Sequence, residues 1–222
     1  MNKVRMEITK GEEIRYISHL DYARTIERAV RRAGLPVAYS EGFNPHMKMS
    51  FASALAVGVT SEQEYIDLEL AEDITVDELA KKLGSQMPAG IALKRAKCIP
   101  LRAPALMAVV NFATYRIVAA INGEMAELNA AIDAFNSAGD IAYVKESPKG
   151  KRDINVKMFI PGDIGLNAAD SMAVLTVGIR LTAAGSIKPG EVLRLLVDKF
   201  KLPVILESAS IVRTGLYIDD GT

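Results

Sequence analysis

The stretch AYSEGFNPHMKMS, residues 38–50, places a histidine in a connector that also contains a glycine and an Asn-Pro pair. Gly42 permits a positive φ and Asn44-Pro45 favours a turn, so the imidazole of His46 can be held in one direction. Because imidazole titrates near neutral pH, His46 is a candidate catalytic acid or base. The same residues also suit a structural turn in which His46 only bonds a carbonyl group, and the sequence leaves both interpretations open.

A second set of side chains is cationic and follows helical spacing. The arginines of DYARTIERAVRR fall on the side of a predicted helix opposite Ile26 and Val30, and flanking cations extend the surface. Guanidinium and ammonium groups bind phosphate oxygens, which makes this surface a candidate RNA contact. The alternative is an ordinary solvated helix face, since Glu27 reduces the local charge. The candidate residues are Arg15, Arg24, Arg28, Arg31, Arg32 and Lys48.

A third segment, KESPKGKRDINVK, concentrates cations around a proline and a glycine. Such a basic loop, residues 145–152, can follow a phosphate backbone, and a charged loop that only maintains solubility is the alternative. Aromatic residues near the cations are few, and Phe43 and Phe51, which flank the GFNPH motif, are equally suited to the core. Asn44 joins the loop cations as a candidate RNA contact. Those cations are Lys145, Lys149, Lys151 and Arg152.

The charge balance gives no global electrostatic signal, since 27 basic residues match 27 acidic ones. Cys98 is the only cysteine, which excludes a disulfide framework and a CxxC site. Two histidines do not supply a set of metal ligands, and no glycine-rich phosphate loop is present, so we predict no metal and no cofactor. The amino terminus lacks the apolar core of a signal peptide, and no apolar run is long enough to span a membrane. We expect a soluble, cytoplasmic protein without a membrane partner.

The elements that must position these residues follow from periodicity. KVRMEITK alternates apolar and charged residues and predicts a strand, and ISHLDYARTIERAVRRAGLP predicts a helix capped by Ser18 and ended by Gly34. The same reasoning gives the order β-α-β-β-α-β, which recurs in the second half, where PGDIGL is predicted to be a turn. We therefore predict an α+β protein of two tandem ferredoxin-like units with antiparallel sheets.

The predicted boundaries place the first unit, with the GFNPH motif, at residues 1–100 and a short join at 101–107. The second unit, with the basic loop, occupies 108–222. Apolar residues at inward positions of strands and helices form the predicted core of each unit. They are Met6, Ile8, Leu20, Ile26, Val30, Ile66, Leu68 and Leu79 in the first unit, and Leu128, Ile132, Leu175, Val177, Leu193 and Leu196 in the second.

The stretch RYISHLDYARTIERAVRRAGLPVAYSEGFNPHMKMSFASALAVGVTSEQEYIDLEL, with IPLRAPALMA and KGKRDINVK, resembles the bacterial radical-SAM-linked domain of unknown function in its stand-alone form. The resemblance extends over essentially the whole chain. It implies a radical SAM protein as partner and a gene neighbourhood of ribosomal proteins and ribonuclease G, and it implies no catalytic residue. The chain contains no CxxxCxxC triad, so a four-iron cluster for radical chemistry would belong to the partner.

Together, these observations predict an accessory protein of a radical SAM enzyme that binds structured RNA, such as rRNA or tRNA, for modification or processing. One alternative is a metal-independent endoribonuclease, in which His46 acts as general base on a 2′-hydroxyl and Lys48 or Arg15 stabilises the phosphorane. Another alternative is a protein-interaction subunit that contacts no nucleic acid. Whether the chain is an enzyme is left open by the sequence.

Overall fold

The structure, a computed structural model, describes residues 3–147, 150–183 and 185–219. Its helices are α1 (His19–Arg32), α2 (Val76–Gly84), α3 (Leu106–Val109), α4 (Met125–Ser137) and α5 (Pro189–Phe200). Its strands are β1 (Lys3–Lys10), β2 (Met49–Phe51), β3 (Val59–Glu69), β4 (Leu93–Ile99), β5 (Phe112–Ala120), β6 (Ala142–Ser147), β7 (Gly150–Asn155), β8 (Gly165–Ala169), β9 (Met172–Arg180) and β10 (Ser210–Tyr217).

The chain forms two compact units whose boundary lies between Val110 and Asn111. The first unit contains the residues up to Val110 and also those from Gly215 onward. The second unit contains residues Asn111–Thr214. Strand β10 therefore contributes residues to both units. The short helix α3, which begins inside the segment predicted to be a join, belongs to the first unit.

In the first unit, the sheet is built on β1. It pairs antiparallel with β3 on one side and with β4 on the other, and β2 pairs antiparallel with the far edge of β3. The order of these strands is β4-β1-β3-β2. Val4 lies opposite Leu68 and Met6 opposite Ile66, and all four side chains are fully buried. The alternation of KVRMEITK thus directs one face of β1 into the core, as predicted.

Helix α1 begins where the sequence predicts. Ser18 caps it: the backbone N–H of Asp21 donates to Ser18 Oγ at 3.1 Å, and the Ser18 hydroxyl donates to Asp21 Oδ2 at 2.7 Å. Ile26 and Val30 are fully buried on its inner face. Leu20, which was predicted to lie in the core, is 66% exposed. It is six residues from Ile26, and at 3.6 residues per turn it lies about 120° around the helix from it.

The second unit repeats the arrangement of strands with one insertion. Strand β5 pairs antiparallel with β9 along its whole length, β8 pairs antiparallel with β9, and β10 adjoins β5. The resulting order is β10-β5-β9-β8. Strands β6 and β7 form a separate two-stranded sheet between α4 and β8. Helices α4 and α5 contact each other through Phe135 and Phe200, whose ring centroids are 5.4 Å apart.

Strand β8 corrects the sequence analysis, because it starts at Gly165 inside the PGDIGL segment that was predicted to be a turn. The side chain of Asn136 fixes the chain just before it. Its Oδ1 accepts the N–H of Ile164 at 2.9 Å, and its Nδ2 donates to the carbonyl of Ile164 at 3.1 Å. These two hydrogen bonds join residues far apart in sequence, so no local pattern indicates them. They hold the segment where it can pair with β9.

Strand β7 covers Gly150–Asn155. It ends at Asn155, whose side chain accepts the backbone N–H of both Ile141 and Lys157 at 3.1 Å and starts a single 3-10 turn. A side chain that bonds nearby backbone N–H groups in this way competes with the strand ladder. The amide of Asn155 therefore decides where the strand ends.

The α+β class and the antiparallel pairing are confirmed. Apart from Leu20, the predicted core residues of both units are buried, from fully buried Met6 to Ile132 and Val177 at 3% exposure. Among the described residues, no helix has both the length and the apolar composition needed to cross a membrane.

Candidate nucleic-acid interface

The arginines of α1 lie on its solvent face, as their spacing predicts. Arg24, Arg28, Arg31 and Arg32 are all exposed. Arg24 Nη1 lies 3.5 Å from Asp21 Oδ1 and Arg31 Nη2 lies 4.0 Å from Glu27 Oε2, both weak surface pairs within one helix. Arg32 Nη2 donates to the carbonyl of Gln86 at 2.7 Å. Each guanidinium has five N–H donors, so these contacts leave capacity for phosphate oxygens. We call Arg24, Arg28, Arg31 and Arg32 the α1 basic stripe.

Arg15 does not extend this stripe as a solvated cation. Its side chain is only 20% exposed, with Nη1 3.1 Å from Glu12 Oε2 and Nη2 donating to the carbonyl of Gly58 at 3.2 Å. The Gly58 N–H in turn donates to the Arg15 carbonyl at 2.9 Å. The guanidinium therefore fastens the turn before α1 to the loop at Gly58, and it stacks 5.0 Å from the ring centre of Tyr16.

Lys10 holds the same turn through hydrogen bonds, a role that the sequence analysis missed. Its side chain is almost completely buried, and Nζ donates to the carbonyls of Arg15 and Ile17 at 3.0 and 3.2 Å. Burial lowers the pKa of this ammonium, and the charge of buried Glu64 opposes that shift. The signal was present in the sequence, since Lys10 follows Met6 and Ile8 at the inward positions of an alternating strand.

The GFNPH motif lies at the tip of a braced loop, residues 40–46, which we call the GFNPH loop. Tyr39 and Met47 pair at its base. The N–H of Ser40 donates to the carbonyl of His46 at 2.8 Å, and the N–H of His46 donates to Ser40 Oγ at 2.9 Å. Gly42 has a φ of 117°, a conformation that favours glycine. These contacts hold the backbone of the loop at both ends.

Residues 41–46 of this loop are all exposed. The imidazole of His46 and the amide of Asn44 are thus accessible to a ligand. The Ser40 hydroxyl oxygen, by contrast, accepts the backbone N–H of His46. Lys48, beyond the loop, has its Nζ 3.4 Å from Glu69 Oε2. The two phenylalanines that flank the motif differ in exposure: Phe51 is buried in the core, whereas Phe43 is fully exposed. The sequence analysis did not distinguish these two rings.

The described residues of the predicted basic loop, 145–147 and 150–152, lie in strands β6 and β7, which pair with each other. Lys145 lies opposite Arg152 across the hairpin, and Lys145 Nζ donates to the carbonyl of Ser186. Lys151 and Arg152 are exposed. Lys149, which was predicted to contact RNA, lies outside the described residues. The hairpin belongs to the second unit and the α1 basic stripe to the first.

Another charged cluster of the first unit is structural. Asp67 is 1% exposed and accepts hydrogen bonds from Arg5 Nε at 2.7 Å and from Arg5 Nη2 at 2.9 Å, and Lys3 Nζ lies 3.2 Å away. The hydrogen bond to Asp67 is the main cause that raises the pKa of Arg5. Arg5 and Asp67 are direct partners across β1 and β3. Since Arg5 also donates to the carbonyl of Pro104 at 3.4 Å, this cluster holds the segment before α3.

Within the described ranges, no group of three or more histidine, cysteine, aspartate and glutamate side chains is placed to hold a metal ion. The described surfaces instead offer guanidinium groups, an exposed ring and exposed amide and imidazole groups. Such groups suit contacts with phosphates and bases.

By its secondary structure, the chain is an α+β protein with mostly antiparallel strand pairing. It belongs to the DUF2344 family, which is described as an uncharacterized protein conserved in bacteria and whose sequence profile matches residues 3–189. No curated protein matches the chain.

Two solved structures are similar to this chain, and the first of them shows a related fold. A chain in the crystal structure of a Cbf5-Nop10-Gar1 complex aligns with 97% of this chain and 48% of its own length, at 12% identity and a TM-score of 0.54. A chain of the archaeal box H/ACA sRNP Nop10-Cbf5 complex aligns with 96% of this chain and 47% of its own length, at 12% identity and a TM-score of 0.47. The protein thus spans about half the length of these chains. At this identity, the first likeness is one of fold alone.

Proposed function

We propose that this protein binds structured RNA as an accessory protein of a radical SAM enzyme. The observation that carries the RNA proposal is the α1 basic stripe together with the exposed GFNPH loop in the same unit. The stripe supplies four guanidinium groups on one exposed helix face, and the loop supplies an exposed ring, an amide and an imidazole. Cations hold the phosphate backbone, while rings and amides contact bases.

The stripe and the loop are close enough for one RNA to contact both. Helix α1 ends at Arg32, and Tyr39 forms the base of the loop. Seven residue steps span at most about 25 Å even when fully extended, and the chain here is not fully extended. The Gly34 N–H donates to the carbonyl of Arg31 at 3.1 Å, so the first part of the connection continues the last helical turn and is not extended. A short connection, residues 33–38, therefore joins the helix that carries the stripe to the base of the GFNPH loop.

The β6–β7 hairpin provides a second phosphate-binding surface in this proposal, through Lys145, Lys149, Lys151 and Arg152. Strands β6 and β7 form a two-stranded sheet of their own, outside the main sheet. The hydrogen bond from Lys145 to the carbonyl of Ser186 connects this hairpin to the segment before α5. A basic hairpin of this kind can follow an RNA backbone without reading its sequence.

We also propose that each unit is ferredoxin-like. The orders β4-β1-β3-β2 and β10-β5-β9-β8 place the first and third strands of each β-α-β-β-α-β set in the middle of the sheet. That is the arrangement of the split β-α-β motif, with the β6–β7 hairpin inserted after α4. The fold shared with a chain of the Cbf5-Nop10-Gar1 complex does not by itself specify function.

Charge reversal tests RNA binding. Filter retention of structured RNA is measured for wild type, for Arg28→Glu with Arg31→Glu, and for Lys151→Glu with Arg152→Glu. We expect both double variants to retain less RNA and to depend less on salt. The control is the Arg102→Glu variant, which changes an exposed arginine outside both surfaces. Equal retention by wild type and both double variants would contradict the proposal.

The radical SAM partner rests on the resemblance described above and on the single cysteine of this chain, which cannot supply the three ligands of such a cluster. The test is affinity capture of the tagged protein from bacterial cells that carry its gene, with and without ribonuclease treatment. We expect a protein with a CxxxCxxC triad to be captured in both cases. Capture of RNA without such a protein would support RNA binding and refute this partnership.

The endoribonuclease alternative is less well supported by the geometry. Arg15, one of the two cations that would stabilise a phosphorane, is mostly buried and bonded to Glu12 and Gly58, while Lys48 forms only an exposed pair with Glu69. Incubating RNA with the protein in the presence of a chelator decides the matter. Cleavage that disappears in His46→Ala would establish the enzyme, whereas intact RNA would leave binding as the function of the loop.

A further inference from the structure

The ring of Phe43 is fully exposed on a loop whose two ends are held together by hydrogen bonds between Ser40 and His46. Its neighbours along the chain, Gly42 and Asn44, are exposed as well, so the ring packs against no core. Phe51, eight residues later, shows that an apolar ring in this segment can be buried. We propose that Phe43 is a platform on which an unpaired RNA base stacks. This inference rests on the RNA binding proposed above and names the chemistry that the GFNPH loop contributes to it.

The composition of the loop favours a base over a phosphate as its ligand. Residues 40–46 contain Glu41 and no lysine or arginine, so the loop itself does not attract the RNA backbone. An aromatic face, by contrast, stacks on any base, because every base has a π-face. The exposed amide of Asn44 and imidazole of His46 lie beside the ring in sequence and can bond the edges of a base.

The size of the apolar surface favours a base over a protein. A stable protein interface buries about 800 Å² on each partner around a cluster of apolar anchors. At the tip of this loop, Phe43 is the one large apolar side chain among the described residues 41–46, and the residues on both sides of it are polar, glycine or proline. A single ring of this size matches a single base.

Bracing of the loop reduces the entropic cost of this contact. The reciprocal bonds between Ser40 and His46 and the pair Tyr39–Met47 fix the ends of the loop before any ligand binds. Met47 is buried and anchors this base in the core. A preorganised platform loses less conformational freedom on binding than a flexible one does.

The chain contains no tryptophan, so Phe43→Trp introduces a single fluorescent reporter at the tip. We expect its emission to be quenched by single-stranded oligoadenylate and much less by an A-form RNA duplex, whose bases are already stacked. The matched control is Met125→Trp, at an exposed position of the second unit, which should respond weakly to both. In parallel, Phe43→Ala should bind oligoadenylate about 5- to 150-fold more weakly than wild type, with an unchanged melting temperature.

Three outcomes separate the two proposals. Quenching at position 43 together with weaker binding by Phe43→Ala supports the platform. If wild type binds RNA and Phe43→Ala binds equally well without quenching at position 43, the platform is refuted and RNA binding stands. If wild type binds no RNA and the tryptophan at position 43 responds only to a captured protein partner, both proposals fail and the loop is a protein contact.

Discussion

At the scale of single residues, the first unit combines an apolar core with a few buried charged side chains that have specific partners. Asp67 is buried between two cations, and buried Lys10 bonds two carbonyls of the turn before α1. Removing one partner of such a group leaves the others buried without their counterpart. The candidate RNA contacts differ, because Arg28, Phe43 and His46 are exposed and can be changed without disturbing the core.

We expect Asp67→Ala to lower the free energy of unfolding by about 3 kcal/mol, since it leaves Arg5 and Lys3 without the carboxylate that they share. Urea denaturation followed by circular dichroism measures this loss. The control is Asp133→Ala, at an exposed position of α4, where the change should be within about 0.5 kcal/mol. A similar small effect for both variants would show that the Asp67 cluster adds no net stability.

Tyr65 gives a prediction of pH dependence. Burial, followed by the nearby charge of Glu7, raises the pKa of its phenol. As the pH rises through the ordinary tyrosine value of about 10, the unfolded chain releases this proton first, so the native state binds more protons and its stability falls. Below that value, the phenol is protonated in both states and contributes no pH dependence.

We therefore expect the unfolding free energy of Tyr65→Phe to fall less steeply than that of wild type between about pH 9 and about pH 11. Urea titrations of both proteins across this range measure the difference. Burial lowers the pKa of Lys10, which acts in the opposite sense, and comparing both proteins at each pH removes that contribution. Parallel curves would show that the Tyr65 phenol titrates alike in both states.

At the scale of elements, hydrogen bonds from side chains to the backbone decide where helices and strands begin and end. Ser18 caps α1, while the side chains of Asn136 and Asn155 fix the start of β8 and the end of β7. The cap is local in sequence, so a pattern of residues reveals it. The hydrogen bonds between the Asn136 side chain and the backbone of Ile164 join residues that are 28 positions apart, so a local sequence pattern does not predict them.

Loss of the cap should destabilise α1 and, with it, the arginine stripe. We expect Ser18→Ala to reduce the unfolding free energy by about 1 kcal/mol, because the N–H of Asp21 loses its acceptor. Ser18→Thr keeps a hydroxyl at the cap and should stay much closer to wild type. Thermal and urea denaturation of the two variants test this, and equal losses would indicate a steric effect rather than a capping bond.

At the scale of the whole molecule, the formal net charge is zero, since 27 lysines and arginines balance 27 acidic residues. A neutral protein exerts little long-range attraction on RNA, so any attraction comes from local surfaces within a Debye length. The dependence of RNA affinity on salt should therefore report the phosphates that individual stripes contact.

Replacing Arg28 and Arg31 together by glutamine should reduce the slope of log affinity against log salt concentration by about 1.4 for single-stranded RNA, or about 0.7 per lost phosphate contact. The matched control is Arg102→Gln with Lys199→Gln, which removes the same net charge from exposed positions elsewhere. Fluorescence anisotropy across a salt series gives both slopes. If the control lowers the slope equally, net charge and not the α1 stripe governs binding.

The sequence by itself determined the faces of the regular elements. The alternation of KVRMEITK gave β1 at Lys3–Lys10, and the helical period with Ser18 gave α1 at His19–Arg32. It also placed the arginines of α1 on the exposed face. These features depend on contacts between near neighbours along the chain, which the periods of strands and helices encode.

Tertiary structure alone decided which faces are covered. Phe43 and Phe51 are equally apolar, yet one is exposed and the other is buried, because Phe51 pairs with Ile66 of β3 while Phe43 lies at a loop tip. In the same way, β8 exists because β9 lies beside it, and Asp67 can be buried because Arg5 lies across the sheet. A local pattern states which residues share a face, but burial and pairing depend on segments far away in sequence that come to lie against that face.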